Sequence, residues 1–536
     1  MRTNLYSSNN VKLISTLNNI GNILSKQRKY SQALEFLQKA LIILETFNPS
    51  NHVQIAANYI WIADILRAQE KYNEAISFQK KALGICEKNY PLNRLTIAHY
   101  LTHIATTLYA QKRYSNALEF YQQSMKVYEE CVPQNSKCIV NNFRSIGDTL
   151  HALKKYDEAL EAYEQALLIE KKQNVSDNIH MGTTLNNIGN VLLSQNKLDQ
   201  ALEFYQQSLK FSEQFDSLNY TAMSTKLWNI GNVLYAQKKY TEAFSFQQRS
   251  LNMRETYDPL NYKKIASNFK SMGTIRNNEG NYDEALIHYQ KALTIYENYC
   301  PSCLQDIIAC LNNIIIALNS SGKSAETLNY RERILAIQEK HYPESYTDIV
   351  NSLINIGHVK YSQTKLDDAV DYYSRAIVLL KEFDSTNHLQ IATIFYWIGI
   401  IRNRQRSFDH AIEYLEYCLK IREASLSPGE SDIMLILSYL SETQQARNQY
   451  NIALTYEMKL FLIREKNLSP NHQDIAQSLA KIGKCYEHLN QLKMALDYYK
   501  RALSIYVQHP LSLIQQGKME DNIDRLSTKL NNLKIQ

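Results

Sequence analysis

Residues Thr16–Glu45 read TLNNIGNILSKQRKYSQALEFLQKALIILE, and this stretch decides the fold. Gly21, Tyr30, Ala33 and Ala40 stand in it at the spacing Gly–x8–Tyr–x2–Ala–x6–Ala. Leu17 and Ile20, three residues apart, lie on one face of a helix that carries Gly21. The heptad TLNNIGN at Thr16–Asn22 returns at Thr184–Asn190, 168 residues on, which is four times 42. A recurrence of that kind is the mark of a repeat architecture.

Stepping 42 residues from Gly21 gives Gly21, Ala63, Ala105, Gly147, Gly189, Gly231, Gly273, Ile315, Gly357, Gly399, Ser441 and Gly483. Twelve residues after each stands Ala, except at Thr327. The register holds through twelve units without an insertion or deletion. Pro49, Pro91, Pro133, Pro259, Pro301 and Pro343 share one register position, and Pro428, Pro470 and Pro510 fall within a residue of it. All nine prolines thus fall in linkers, where a missing N–H does no harm. Each unit reads as helix A, short turn, helix B and a proline-marked loop. A mid-helix glycine costs about 1 kcal/mol relative to alanine, so its recurrence predicts close packing of helix A on helix B.

Unit eight is degenerate. It places Ile315, Thr327 and Ile334 where neighbours have Gly, Ala and Ala, and NSSGKSAET replaces the Lys-Tyr-x-Glu-Ala turn. The expected organisation is units one to seven over 9–299, unit eight over 300–345 with a change of curvature, units nine to twelve over 346–508, and a capping helix over 509–536. The cap follows from the need of a solenoid for a polar outer end.

The Gly, Tyr, Ala, Ala spacing resembles the tetratricopeptide repeat, and the 42-residue unit resembles the subtype of kinesin light chains and nephrocystin-3-like proteins. The resemblance covers roughly residues 9–508. It implies an all-α, right-handed α-solenoid of twelve helix-turn-helix units whose helices A line a concave groove. It also implies ligand-facing positions six, three and two residues before the glycine position and one after it. Those positions hold Asn18, Asn19 and Asn22 in unit one, Trp61 in unit two and His103 in unit three. Unit five supplies Asn186, Asn187 and Asn190, and unit six Trp228, Asn229 and Asn232. Asn312 and Asn313 follow in unit eight, Asn351 and Asn355 in unit nine, and Trp397 in unit ten. An amide side chain both donates and accepts, so a row of them suits the backbone of an extended peptide. The alternative is that neighbouring amides bond one another across units.

Other chemistry is weakly signalled. With 59 basic against 53 acidic residues, net +6 and no basic block, the chain does not read as a nucleic-acid binder. The N-terminal MRTNLYSSNNVKLIS has no apolar core of a signal peptide. No run of 18 apolar residues suggests a membrane span, and eight cysteines fit a cytoplasmic setting with reduced thiols. Ser321–Ser324, SGKS, lacks the earlier glycine and the strand of a phosphate loop. Cys300 and Cys303 have no second pair at zinc spacing. His99 and His103 lack a third ligand in the sequence. No cofactor, metal or catalytic residue is expected. Basic residues at the groove positions of three successive units, as a chaperone-tail clamp requires, are missing, which argues against a C-terminal EEVD ligand. The expected function is a non-catalytic scaffold or adaptor that holds a peptide or protein in its groove. The alternatives are a kinesin-light-chain-like cargo adaptor and the sensor array of a larger signalling or enzymatic protein.

Overall fold

The computed structural model describes residues 2–131, 137–172, 180–384, 386–425, 431–509 and 512–535, with side chains described from 12 to 532. Pro133, Pro428 and Pro510 lie outside the described residues. Among these, 25 α-helices form twelve antiparallel A/B hairpins and a final helix, Leu513–Ile535. The hairpins belong to two compact bodies, Met1–Cys300 with units one to seven and Pro301–Gln536 with units eight to twelve and the final helix. Within each body successive hairpins stack, and apolar side chains between the A and B layers make the core. The chain is thus an all-α helical-repeat stack.

Both ends of helix A follow from local chemistry. The side chains of Asn51, Asn93, Asn219 and Asn387 accept from backbone N–H groups in the first turn and cap four of the helices. At the other end every unit places one residue in the left-handed region, from Arg28 at φ 60° to Asn490 at φ 61°. Only Gly280 and Gly322 are glycines there. The next N–H closes back on helix A, as Lys29 N to Leu24 O at 2.9 Å and Lys155 N to Leu150 O at 2.9 Å. This hydrogen bond offsets the cost of the left-handed residue, about 1–2 kcal/mol for a side chain with a Cβ.

The recurrent glycine has a more specific reason than close approach of two helices. A Cβ built on Gly147 would lie 2.7 Å from the Tyr163 ring, and one on Gly357 2.6 Å from Tyr373. Gly189 faces Tyr205 and Gly273 faces Tyr289 in the same way. The glycine clears room for one helix B side chain sixteen residues on, here called the plug. Unit eight departs from this pattern. Its plug is Arg331 opposite Ile315, a 3-10 turn at Ser324–Thr327 precedes helix B, and that helix is shortened to Leu328–His341.

Within each body a second contact, buried at most seams, joins helix B to the helix A that follows it. At this seam Asn268 and Arg254 are buried together, as are Lys226 and Ser212, and the Lys226 ammonium donates to Ser212 Oγ. Burial pushes Lys226 down to about 8, with Asp216 opposing. The unfolded chain holds that proton up to the ordinary lysine range near 10.4. Stability therefore rises with pH between about 8 and 10, and the full cost of the buried charge is present at pH 7. Lys226→Met should stabilise the first body by on the order of 2 kcal/mol at pH 7 and by much less at pH 10. Denaturant titrations at the two pH values check this.

In the final helix Met519 and Leu526 are buried against unit twelve. Arg525 Nη2 donates to Glu487 Oε2 at 3.0 Å and fixes its register.

Candidate binding face of helix A

In the first body helices A of neighbouring units, such as His52–Ala68 and Arg94–Ala110, approach one another more closely than helices B do. Helix A therefore forms the tighter layer of that stack. Two register positions pair along its surface. The residue after the glycine, here the rim, meets the residue two before the glycine of the next unit, here the inner position. His103 Nδ1 lies 3.5 Å from Asp64 Oδ1, Asn187 Nδ2 donates to Asp148 Oδ1 at 3.1 Å, and Lys481 Nζ donates to Glu442 Oε1 at 2.7 Å. Trp397 packs its ring edge-on to His358 at 4.7 Å. The same step of 39 residues thus carries an ion pair, an amide hydrogen bond or an aromatic contact.

The plug reaches the rim from below. Tyr163 donates to Asp148 at 2.5 Å, Tyr205 to Asn190 at 2.6 Å, Tyr289 to Thr274 at 3.2 Å and Gln247 to Asn232 at 2.9 Å. Tyr121 and Thr106 share a hydrogen bond at 3.0 Å, and Tyr373 and His358 one at 2.7 Å. Burial raises the Asp148 carboxyl above the usual range, while the Tyr163 hydroxyl and neighbouring Arg144 pull it back.

The residues expected from sequence divide accordingly. Many of the asparagines are engaged inside the protein. Asn18 accepts from buried Asn58 at 2.9 Å, Asn186 accepts from Asn229 at 2.8 Å, and Asn351 accepts from Gln390 at 3.2 Å. Asn190 and Asn232 take the plug hydrogen bonds. Asn229 is buried rather than open to the face. Asn19, Asn22, Asn312 and Asn355 are exposed, and Asn313 is half-buried. Trp61 is 46 % exposed. Trp228 is half-buried, with its indole N–H enclosed and without a hydrogen bond among the described residues. Trp397 is half-buried between His358 and Tyr361. The residues missed from sequence are the rim acids Asp64 and Asp148 and the plug tyrosines. Their signal was available as a second register, one and sixteen residues after the glycine.

Asn18, Asn19, Asn22, Trp61 and Asp64 line a pocket of about 280 Å³ floored by Leu37 and Ile65. The histidine pair does not converge, because His99 Nδ1 meets Tyr128 Oη at 2.9 Å while His103 turns to Asp64. Cys300 and Cys303 are half-buried and Cys310 is buried. Among the described residues no helix is long and apolar enough to cross a membrane.

A sequence profile of the tetratricopeptide repeat matches residues 54–130, 139–214, 222–298, 348–424 and 432–507, and a second of the same description matches 13–53. Unit eight falls in the unmatched gap. Among curated proteins none matches the sequence. Among solved structures the chain is similar to BtubC (BKLC) from P. vanneervenii, at 18% identity over 44% of this chain and 92% of that one, TM-score 0.37. It is also similar to the apo form of RapI, at 16% identity over 70% and 99%, TM-score 0.47. A third is a Rap protein complexed with competence and sporulation factor, at 16% identity over 69% and 98%, TM-score 0.40.

Proposed function

Because the chain belongs to the tetratricopeptide repeat family, whose members bind protein partners, we propose that it is a non-catalytic scaffold or adaptor that holds an extended polypeptide against its helix A face. One observation carries this reading: the inner face of the first body is lined by amides and hydroxyls with few charges. Internal bonds fix several of its asparagines in place, as Asn58 fixes Asn18 and Tyr205 fixes Asn190. Each amide has a second functional group to offer a ligand. A preorganised amide does not lose rotamer freedom on binding, which favours affinity. Each such contact contributes only about 0.5–1.5 kcal/mol, so a long segment spanning several units is required. A cytoplasmic setting fits its eight cysteines.

Alanine at the engaged asparagines would confuse binding with stability, because it strands their internal partners. Obstruction is the cleaner test. Thr183 and Thr225 occupy the position six before the glycine in units five and six, outside the amide network. Thr183→Arg with Thr225→Arg should reduce partner capture from native cells at least tenfold, read by quantitative mass spectrometry, with an unchanged helical circular dichroism signal. Undiminished capture by the folded variant would reject the groove.

A further inference from the structure

We propose that the pocket between units one and two accepts a basic side chain, lysine or arginine, of the bound polypeptide. The inference rests on the groove reading for the source of that side chain, but its chemistry comes from a local defect in the repeat. In units three to seven the plug carries a hydrogen-bonding group to the rim. Unit one has Leu37 as plug, an isobutyl group with nothing to donate, beneath the polar rim residue Asn22. Unit two has Gln79, whose amide turns away and donates to Thr107 Oγ1 at 2.8 Å, leaving the rim residue Asp64 without a donor from below. Unit ten shows the apolar solution to a leucine plug, because its Leu415 lies under Ile400. Unit one instead keeps an amide over leucine, and the space left by the absent phenol is the pocket.

The unfilled valences name the ligand. Among units one to seven, Asn22 and Asp64 are the two rim residues that receive no plug donor, and both line this one pocket. Arg67 at 3.0 Å and His103 at 3.5 Å both address Asp64 Oδ1. Oδ2 takes no hydrogen bond among the described residues. A group with several donors and a positive charge satisfies the Asn22 carbonyl and Asp64 Oδ2 together, as an ammonium or guanidinium does and a neutral amide does only in part. Trp61, 46 % exposed and lining the same pocket, supplies an indole for a cation–π contact. The apolar floor of Leu37 and Ile65 takes the methylene stem.

The test uses the full chain and blocked tripeptides Ac-Ala-X-Ala-NH2 with X as arginine, lysine, citrulline or glutamate. The chain has three tryptophans, and the indole N–H resonance lost in Trp61→Phe identifies Trp61 in the spectrum. The arginine and lysine peptides should shift that resonance saturably, and citrulline and glutamate should bind at least tenfold more weakly. Asp64→Asn should weaken the arginine peptide at least fivefold. Leu37→Tyr, which installs the plug used by five other units facing glycine, should abolish the shift while the melting temperature holds or rises. Binding of citrulline equal to that of arginine, or binding that survives Leu37→Tyr, overturns the proposal, as does no shift with any peptide. Such a failure leaves the groove standing if Thr183→Arg with Thr225→Arg still abolishes capture. Undiminished capture alongside arginine-selective shifts would reject the groove and retain the cation pocket.

Discussion

Gly357→Val should destabilise the Pro301–Gln536 body by about 3 kcal/mol, the upper part of the usual range for overpacking. The Tyr373 ring lies 2.6 Å from where a Cβ would stand, and its hydroxyl is tied to His358 Nδ1 at 2.7 Å. It cannot withdraw without giving up that bond, and Tyr373 is itself fully buried. A β-branched residue adds two further atoms in the same direction and fits a helix poorly. Gly357→Ala should cost far less, for two reasons. Helix propensity returns about 1 kcal/mol, and unit three accommodates Ala105 beneath Tyr121 while keeping the hydroxyl contact to Thr106. Hydrogen exchange of the helix Tyr346–Ser362 measures the difference. Equal protection in the valine variant and the parent would show that the glycine is not there for the tyrosine.

Asn268→Leu should cost a similar amount, about 3 kcal/mol, for an electrostatic reason. Arg254 is 3 % exposed, and burial pushes its guanidinium down to about 10. It donates to Lys264 O at 2.9 Å and to Asn268 Oδ1, while Asn268 Nδ2 donates to Gln247 O at 3.1 Å. Leucine at 268 removes an acceptor from a buried charge and offers none in its place. The repeat contains its own control, since at the seam between units nine and ten the same two positions hold Leu380 and Ile394, both 0 % exposed. Arg254→Leu combined with Asn268→Leu should therefore recover more than half of the loss of the single Asn268 variant. A double-mutant cycle in urea would show a coupling above about 1 kcal/mol. Additive losses would mean that the pair is not a unit.

The architecture was legible because a repeat displays its core many times. The glycine and alanine positions, the linker prolines and the weakness of unit eight all emerge from the 42-residue step alone. What the glycine faces was present only as a second register of large side chains sixteen residues on, and it takes the contact between the two helices to show that the registers belong together. The asparagines of the helix A face were legible as a set but not in their roles. Asn22 and Asn190 occupy the same register position, yet one is exposed over Leu37 and the other accepts from Tyr205. Only the plug beneath decides which of them is free, and that pairing became visible when the two helices were seen together. The left-handed residue closing each helix A escaped for a related reason. Lysine, arginine and asparagine fill that position in most units, so the glycine that usually marks it is missing.

The most direct measurement is site-specific photo-crosslinking in native cells, with a benzophenone amino acid placed singly at Asn19, at Thr183 on the helix A face of unit five, or at Gln206 on the exposed side of its helix B. The proposed function predicts the same partner polypeptide at Asn19 and Thr183, joined through different segments of one extended stretch, and no such adduct at Gln206. Adducts that form at Gln206 but at neither helix A position would contradict it.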